Sequence, residues 1–209
     1  MNRLLWILFV LLPALATASA RAEAPREIAG YRLGQTLGSC YDRVVAGPVY
    51  PVRLRPYLKE VPVIVPEGFQ SGYIIYGDCA DPGAIVRIKV KYAYDGRRFF
   101  ERLLERFKRK FGDPDEYVGD AFQAYVAWRW SFEEPDGQMI SMILSHYSGD
   151  DEEHTQGNAL KLTLASQIEK ERLCYEAQAK RMPKPGMRLR AGQGRGKEPK
   201  DWESLLPRP

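Results

Sequence analysis

The chain of 209 residues carries 31 Lys and Arg against 27 Asp and Glu, which gives a formal net charge of +4. Beyond one apolar run near the amino terminus, no stretch approaches the roughly 20 apolar residues that a membrane-spanning helix requires. No membrane-spanning helix is therefore predicted beyond that run. The length of the remaining chain predicts one folded domain.

Residues 1–24 have the pattern of a cleaved secretory signal, with a basic start, an apolar run over 4–18 and alternating alanines. Cleavage is expected after Ala20, with Ala22 and Ala24 as alternatives. The sequence therefore predicts a periplasmic or secreted protein that does not span the membrane after cleavage. Because the protein is predicted to be exported, nucleic acid is not expected as a partner.

Three cysteines, Cys40, Cys79 and Cys174, allow three choices of one disulfide in an oxidising compartment. We favour Cys40–Cys79, because each lies beside a turn-like sequence, "LGSCYD" and "YGDCAD". Cys79–Cys174 is the alternative. The chain contains no Cys-x-x-Cys pair that would indicate a redox centre.

The amino-terminal part predicts a short strand over 31–37 and then a short helix capped by Ser39 and stopped by Gly47-Pro48. Proline recurs over 48–66, and proline lacks the amide donor that an inner strand needs. This stretch is predicted to be loop, polyproline-like chain or edge strand.

Two strands, 71–79 and 84–94, flank the turn sequence "ADPG" and predict a hairpin. Alternation places one apolar set on one face of the second strand: Val86, Ile88, Val90, Tyr92 and Tyr94. The opposite face carries a basic ladder of Arg87, Lys89 and Lys91. This ladder is either a solvated face or a docking strip for an acidic partner.

A helix is predicted over 95–111, with Asp95 as its cap, an apolar stripe along one side and Gly112 at its end. Next come a hairpin of strands 121–132 and 138–147, a strand over 158–165 and a helix opened by Ser166. The alternating face of the first of these strands is predicted to be core rather than a sugar-binding surface: Phe122, Ala124, Val126, Trp128, Trp130 and Phe132.

The sequence "RFKRKFGDP" followed by "AYVAWRWSF" resembles small exported bacterial proteins of unknown function, some of which resemble the beta-lactamase inhibitor protein fold. "LGSCYDRV" resembles the strand-to-helix turn of such domains. The resemblance covers about residues 84–147. It implies helices packed on an antiparallel sheet and a protein that acts by binding another protein.

The predicted fold class is α+β, a mainly antiparallel sheet packed by two principal helices over residues 25–182. Residues 183–209 are basic and rich in Gly and Pro, which predicts a disordered tail. Within it, Trp202, Leu205 and Leu206 have the i, i+3, i+4 spacing of a short helix that docks into a groove.

The two histidines, His146 and His154, flank an acidic loop and are the candidates for a metal site, but they lack the compact ligand spacing of zinc sites. No catalytic motif and no cofactor is predicted. The function expected is a non-catalytic module that binds another envelope protein. The alternatives are a ligand pocket between helix 95–111 and the sheet, and, less favoured, a hydrolase.

Overall fold

A computed structural model describes residues 23–149 and 154–181. In chain order the elements are β1 (Glu27–Ile28), β2 (Tyr31–Arg32), a 3₁₀ helix (Leu37–Arg43), β3 (Tyr50–Val52), β4 (Arg55–Val63), β5 (Phe69–Gly77), β6 (Ile85–Tyr92), α1 (Arg97–Phe111), β7 (Glu116–Tyr117), β8 (Tyr125–Glu133), β9 (Met139–Tyr147), β10 (Gly157–Leu164) and α2 (Ala165–Arg181). The α+β class is confirmed.

The described strands form an eight-stranded antiparallel sheet in the order β3-β4-β5-β6-β10-β9-β8-β7, with β1 and β2 paired separately. The predicted hairpins are β5–β6 and β8–β9. β10 lies between β6 and β9 and so joins the two hairpins into one sheet. This insertion places residues near position 90 beside residues near position 160.

One face of the sheet, called here the helix-covered face, packs against the apolar stripe of α1. Trp130 is buried there beside Phe107, and its Nε1 donates a hydrogen bond to the carbonyl of Gly112 at 2.9 Å. Gly112 has a φ of 84°, which suits a glycine at a helix end, as predicted. The predicted cap Asp95 is wrong, because the N-cap residue is Gly96.

The predicted apolar face of β8 is correct for Val126, Trp130 and Phe132, which are buried, but wrong for Phe122, which is 95% exposed. Strand β8 begins only at Tyr125. The preceding turn is held by Asp120, whose carboxylate accepts hydrogen bonds from backbone N–H groups in that turn.

In β6, Ile88, Val90 and Tyr92 face the main core as predicted, whereas Val86 lies in a second cluster under Ile168 of α2. A register irregularity between β5 and β6 near Ile85 moves Val86 to the opposite face. Tyr94 lies beyond the end of the strand and is 64% exposed.

The proline-rich stretch contains more sheet than predicted. β3 is an edge strand, but β4 is an inner strand of nine residues paired with both β3 and β5. Pro62 is accommodated because β3 pairs only with the first part of β4, up to Glu60. Beyond that point the carbonyl of Pro62 accepts a hydrogen bond from the backbone N–H of Val45.

Neither predicted capping serine caps a helix. Ser39 lies inside the 3₁₀ helix, which begins at Leu37, and its hydroxyl bonds to the carbonyl of Thr36. α2 begins at Ala165, and the Ser166 hydroxyl accepts a hydrogen bond from the backbone N–H of Met139.

The disulfide joins Cys79 to Cys174, with a Cα–Cα distance of 5.9 Å, so the favoured Cys40–Cys79 pairing is wrong and the alternative is right. Cys40 is a free thiol, fully buried in the main core. The backbone N–H of Cys79 donates a hydrogen bond to Glu171 of α2 at 2.8 Å, which holds the Cys79 loop beside the helix that carries Cys174.

No described helix is both long and apolar enough to cross a membrane. The predicted signal segment, residues 150–153 and the tail with Trp202, Leu205 and Leu206 lie outside the described residues, except that residues 23 and 24 are described.

Candidate binding face of the sheet

The sheet face opposite α1 carries an unusual concentration of basic side chains. Side chains at paired positions of neighbouring strands lie in rows across a sheet. The central row on this face runs from β5 to β7 through Tyr73, Lys89, Lys161, Ile143, Arg129 and Glu116. α2 covers only one end of the face, where Ile168 packs on the second cluster.

Lys89 and Lys161 lie directly opposite each other on β6 and β10. Side chains at such positions have Cβ atoms about 4.5–5.5 Å apart, and like charges there are destabilising. Within residues 23–149 and 154–181, neither lysine has a carboxylate at ion-pair distance. Both are half-buried. Within the described part of the chain, the pair is therefore two neighbouring positive charges with no ion-pair partner.

Further cations extend this charge over the basic face, defined here as Arg87, Lys89, Lys91, Arg129 and Lys161. Arg87 Nε donates a hydrogen bond to Thr163 Oγ1 at 3.1 Å. Arg129 forms an ion pair with Glu116 at 3.2 Å, yet its buried Nε has no hydrogen-bond acceptor in the described part of the chain.

Burial and mutual repulsion shift the pKa values of these groups. The pKa of Lys161 is lowered to about 8, mainly by burial and in addition by the positive charges of Arg87, Lys89, Arg129 and Arg55. The pKa values of Lys89 and Arg87 are also lowered, first by burial, although Glu60 acts in the opposite direction on both. An added anion would relieve this repulsion.

A small pocket of about 210 Å³ opens beside the lysine pair. Its polar lining includes Lys89, Lys161, Tyr125, Ser145 and His154. The His154 ring stacks on the Tyr125 ring with centroids 3.9 Å apart and an interplanar angle of 5°. Ammonium groups, hydroxyls and an imidazole converge there, which suits the oxygens of one anionic group.

The structure does not bring the two histidines together. His146 lies on the helix-covered face, where its Nδ1 donates a hydrogen bond to Asn158 Oδ1 at 2.8 Å and its ring contacts Phe100. His154 lies on the opposite face against Tyr125. No group of three or more potential metal ligands occurs among the described residues.

The predicted ladder of Arg87, Lys89 and Lys91 does share one face, but its members are half-buried rather than freely solvated. Sequence reasoning missed Lys161 and Arg129 as part of the same surface. Alternation in "ALKLTLA" does put Lys161 opposite the buried leucines, yet only the β6–β10 pairing brings it to Lys89.

Comparison with protein-family models, curated proteins and solved structures gives no match for this chain. The resemblance to exported proteins with the beta-lactamase inhibitor protein fold therefore stays a prediction. The basic face rests on its own geometry, with no binding residues transferred from a relative.

Proposed function

We propose that this protein is a non-catalytic binding protein that recognises an acidic protein partner through the basic face. The observation that carries the proposal is the cross-strand pair of Lys89 and Lys161, half-buried and without a carboxylate partner among the described residues. An acidic side chain placed between them supplies the missing negative charge.

The arrangement lowers the stability of the free protein. Two half-buried ammonium groups repel each other and lose hydration, whereas an apolar pair at the same positions would be neutral or stabilising. Residues that reduce stability in this way are concentrated at functional sites, because function and stability compete there. Partner binding explains why the lysines are present.

The shape of the surface favours a protein over a small molecule. The pocket of about 210 Å³ is smaller than typical small-molecule sites, which span roughly 300–1,000 Å³, but it suits a single acidic side chain. Around it the face is broad and carries Tyr73 and Tyr50, which are 41% and 57% exposed. Tyrosine and arginine are enriched at protein interfaces.

The proposed partner is another protein of the cell envelope. Two features support this location. The amino-terminal sequence has the pattern of a secretory signal. The Cys79–Cys174 disulfide suits an oxidising compartment.

The direct test is the fluorescence anisotropy of a labelled oligoglutamate peptide, compared with oligoglutamine of equal length. Wild-type protein is expected to bind only the acidic peptide, and more weakly as salt rises. The double variant Lys89→Gln/Lys161→Gln should bind at least about tenfold more weakly. Arg106→Gln/Lys110→Gln removes two charges from α1 and should bind like wild type. An equal loss of peptide affinity in both double variants would show that binding depends only on net charge, and would contradict the proposal.

Residues 150–153 are all acidic and adjoin His154 in the sequence, so they are potential competitors of the peptide. The same titration is therefore repeated on a variant in which these four residues are Asn and Gln. Binding by this variant together with no binding by wild type would identify the chain's own acids as the occupant and overturn the proposal.

Partner capture from the envelope fraction then separates the basic face from the predicted tail element. Three full-length proteins are compared: wild type, Lys89→Gln/Lys161→Gln, and Trp202→Ala/Leu205→Ala/Leu206→Ala. The proposal expects one acidic partner to be lost only from the lysine variant. Loss only from the tail variant would assign recognition to the tail.

A further inference from the structure

A separate cavity of about 530 Å³ lies on the helix-covered face, between α1, the sheet and the segment that leads into β1 and β2. Its volume is within the range of small-molecule sites, roughly 300–1,000 Å³. The walls are mainly apolar: Phe69, Phe107, Phe111, Met142, Leu160 and Leu162. An apolar cavity of this size binds an apolar chain by removing it from water.

Tyr92 also lines this cavity and is only 7% exposed, yet its hydroxyl has no hydrogen-bond partner in the described part of the chain. Burial raises the pKa of this hydroxyl, so it stays protonated and able to donate. Among the described residues, the fully buried side-chain polar atoms without a hydrogen-bond partner are Arg129 Nε and Glu134 Oε2, so the Tyr92 hydroxyl keeps surface that a ligand can reach. A ligand oxygen that reaches into the cavity would accept this hydrogen bond.

The rim of the cavity is more basic than acidic. Four cations, Arg26, Arg32, Arg106 and Lys110, lie there with two acids, Glu23 and Glu27. Arg26 is already paired with Glu134, and Arg32 lies 3.7 Å from Glu27.

Arg106 and Lys110 follow each other by one helical turn on α1. Both are exposed, and neither has an ion-pair partner among the described residues. These two side chains are therefore available to a negatively charged group at the rim.

We infer that this cavity binds a single-chain amphiphile with an anionic head group. The apolar chain lies against Phe107, Phe111 and Met142, Tyr92 donates a hydrogen bond to a ligand oxygen, and Arg106 and Lys110 attract the head group. This site is independent of the basic face, which lies on the other side of the sheet.

The test measures how well dodecanoate, below its critical micelle concentration, displaces a fluorescent acyl probe from the protein. Dodecanol, which has the same chain length but no charge, is the control ligand. Wild type should prefer dodecanoate. Tyr92→Phe removes only the hydroxyl and should weaken dodecanoate binding about fivefold to tenfold. Arg106→Gln/Lys110→Gln should abolish the preference for the acid over the alcohol. Lys89→Gln/Lys161→Gln should bind dodecanoate like wild type.

No displacement, or equal affinity for acid and alcohol in every variant, would overturn the inference. A second experiment measures binding of the same variants to phosphatidylglycerol vesicles. Tyr92-dependent binding to monomeric dodecanoate alone identifies a free amphiphile as the source, and Tyr92-dependent binding to vesicles identifies membrane lipid. Oligoglutamate binding is tested at Lys89 and Lys161, which do not line this cavity. A failure of dodecanoate to bind would therefore leave the result for the basic face unchanged.

Discussion

Gly77 and Glu171 are packed so closely that a Cβ atom at position 77 would overlap the Glu171 carboxylate. That carboxylate is fully buried and accepts hydrogen bonds from the backbone N–H groups of Cys79, Ala80 and Asp81 at 2.8–2.9 Å. Glu171 therefore fastens α2 to the turn between β5 and β6.

Replacing Glu171 with Gln should destabilise the fold by about 2–4 kcal/mol, because the amide offers one oxygen to three donors and brings two donors of its own. Urea denaturation measures the change. The control is Glu176→Gln on the same helix, which removes an exposed pairing with Arg172 and should leave the midpoint unchanged. Equal midpoints for the two variants would contradict this role of Glu171.

The Cys79–Cys174 disulfide closes a loop with a sequence separation of 95, so its loss should cost about 4–5 kcal/mol on the chain-entropy account. Thermal melts with and without reductant measure this loss. Alkylation checks the pairing: the native protein should label at no cysteine, the unfolded oxidised protein only at Cys40. A linked peptide containing Cys40 would contradict the structure.

The elements that sequence predicts well are those defined by short-range patterns. α1 has an apolar stripe at helical spacing and a glycine at its end, and both hairpins have turn residues between alternating strands. The pairing of Lys89 with Lys161 depends instead on where β10 enters the sheet. Nothing local to either lysine specifies that position.

The predictions of the disulfide pairing and of the helix-capping serines were wrong for related reasons. Cys40 and Cys79 both lie near turns, but pairing depends on which elements pack together, and α2 packs beside Cys79. Ser39 and Ser166 match a capping pattern, yet their hydroxyls bond elsewhere. A cavity lies between α1 and the sheet, where the alternative hypothesis places a ligand pocket, and ligand binding there stays a prediction. The residues that line the cavity could not be predicted, because they depend on tertiary packing.

Asn158 is fully buried, and its side chain joins three groups near the start of α1. It accepts a hydrogen bond from His146 Nδ1 and donates to the carbonyls of Tyr94 at 2.8 Å and Gly96 at 3.2 Å. Asn158→Ala should therefore destabilise the fold by about 2–4 kcal/mol, since it leaves buried polar groups without partners.

The readout for Asn158→Ala is urea denaturation together with amide exchange, which should accelerate in the first turn of α1. Ser148→Ala removes only an exposed hydrogen bond to the carbonyl of Ala124 and is the control, expected to match wild type. Unchanged exchange in α1 of the Asn158 variant would show that this side chain does not anchor the helix.

Lys161 should make stability depend on pH in a defined direction. Its pKa is about 8 in the folded protein against 10.5 normally, so between these values the unfolded chain binds more protons. Below pH 8 the charged, dehydrated Lys161 therefore lowers the free energy of unfolding by at most about 3 kcal/mol. This loss disappears as the pH rises toward 10.5.

Lys161→Met removes this titration and the repulsion with Lys89, and so should be more stable than wild type near neutral pH. The gap in urea midpoint should narrow as the pH is raised from about 7 to about 10, where Lys161 is neutral in the folded protein. Arg102→Met, at an exposed position of α1, should show a pH-independent difference because arginine does not titrate in this range. A constant gap for Lys161→Met would show that this lysine is not held in a repulsive, dehydrated site.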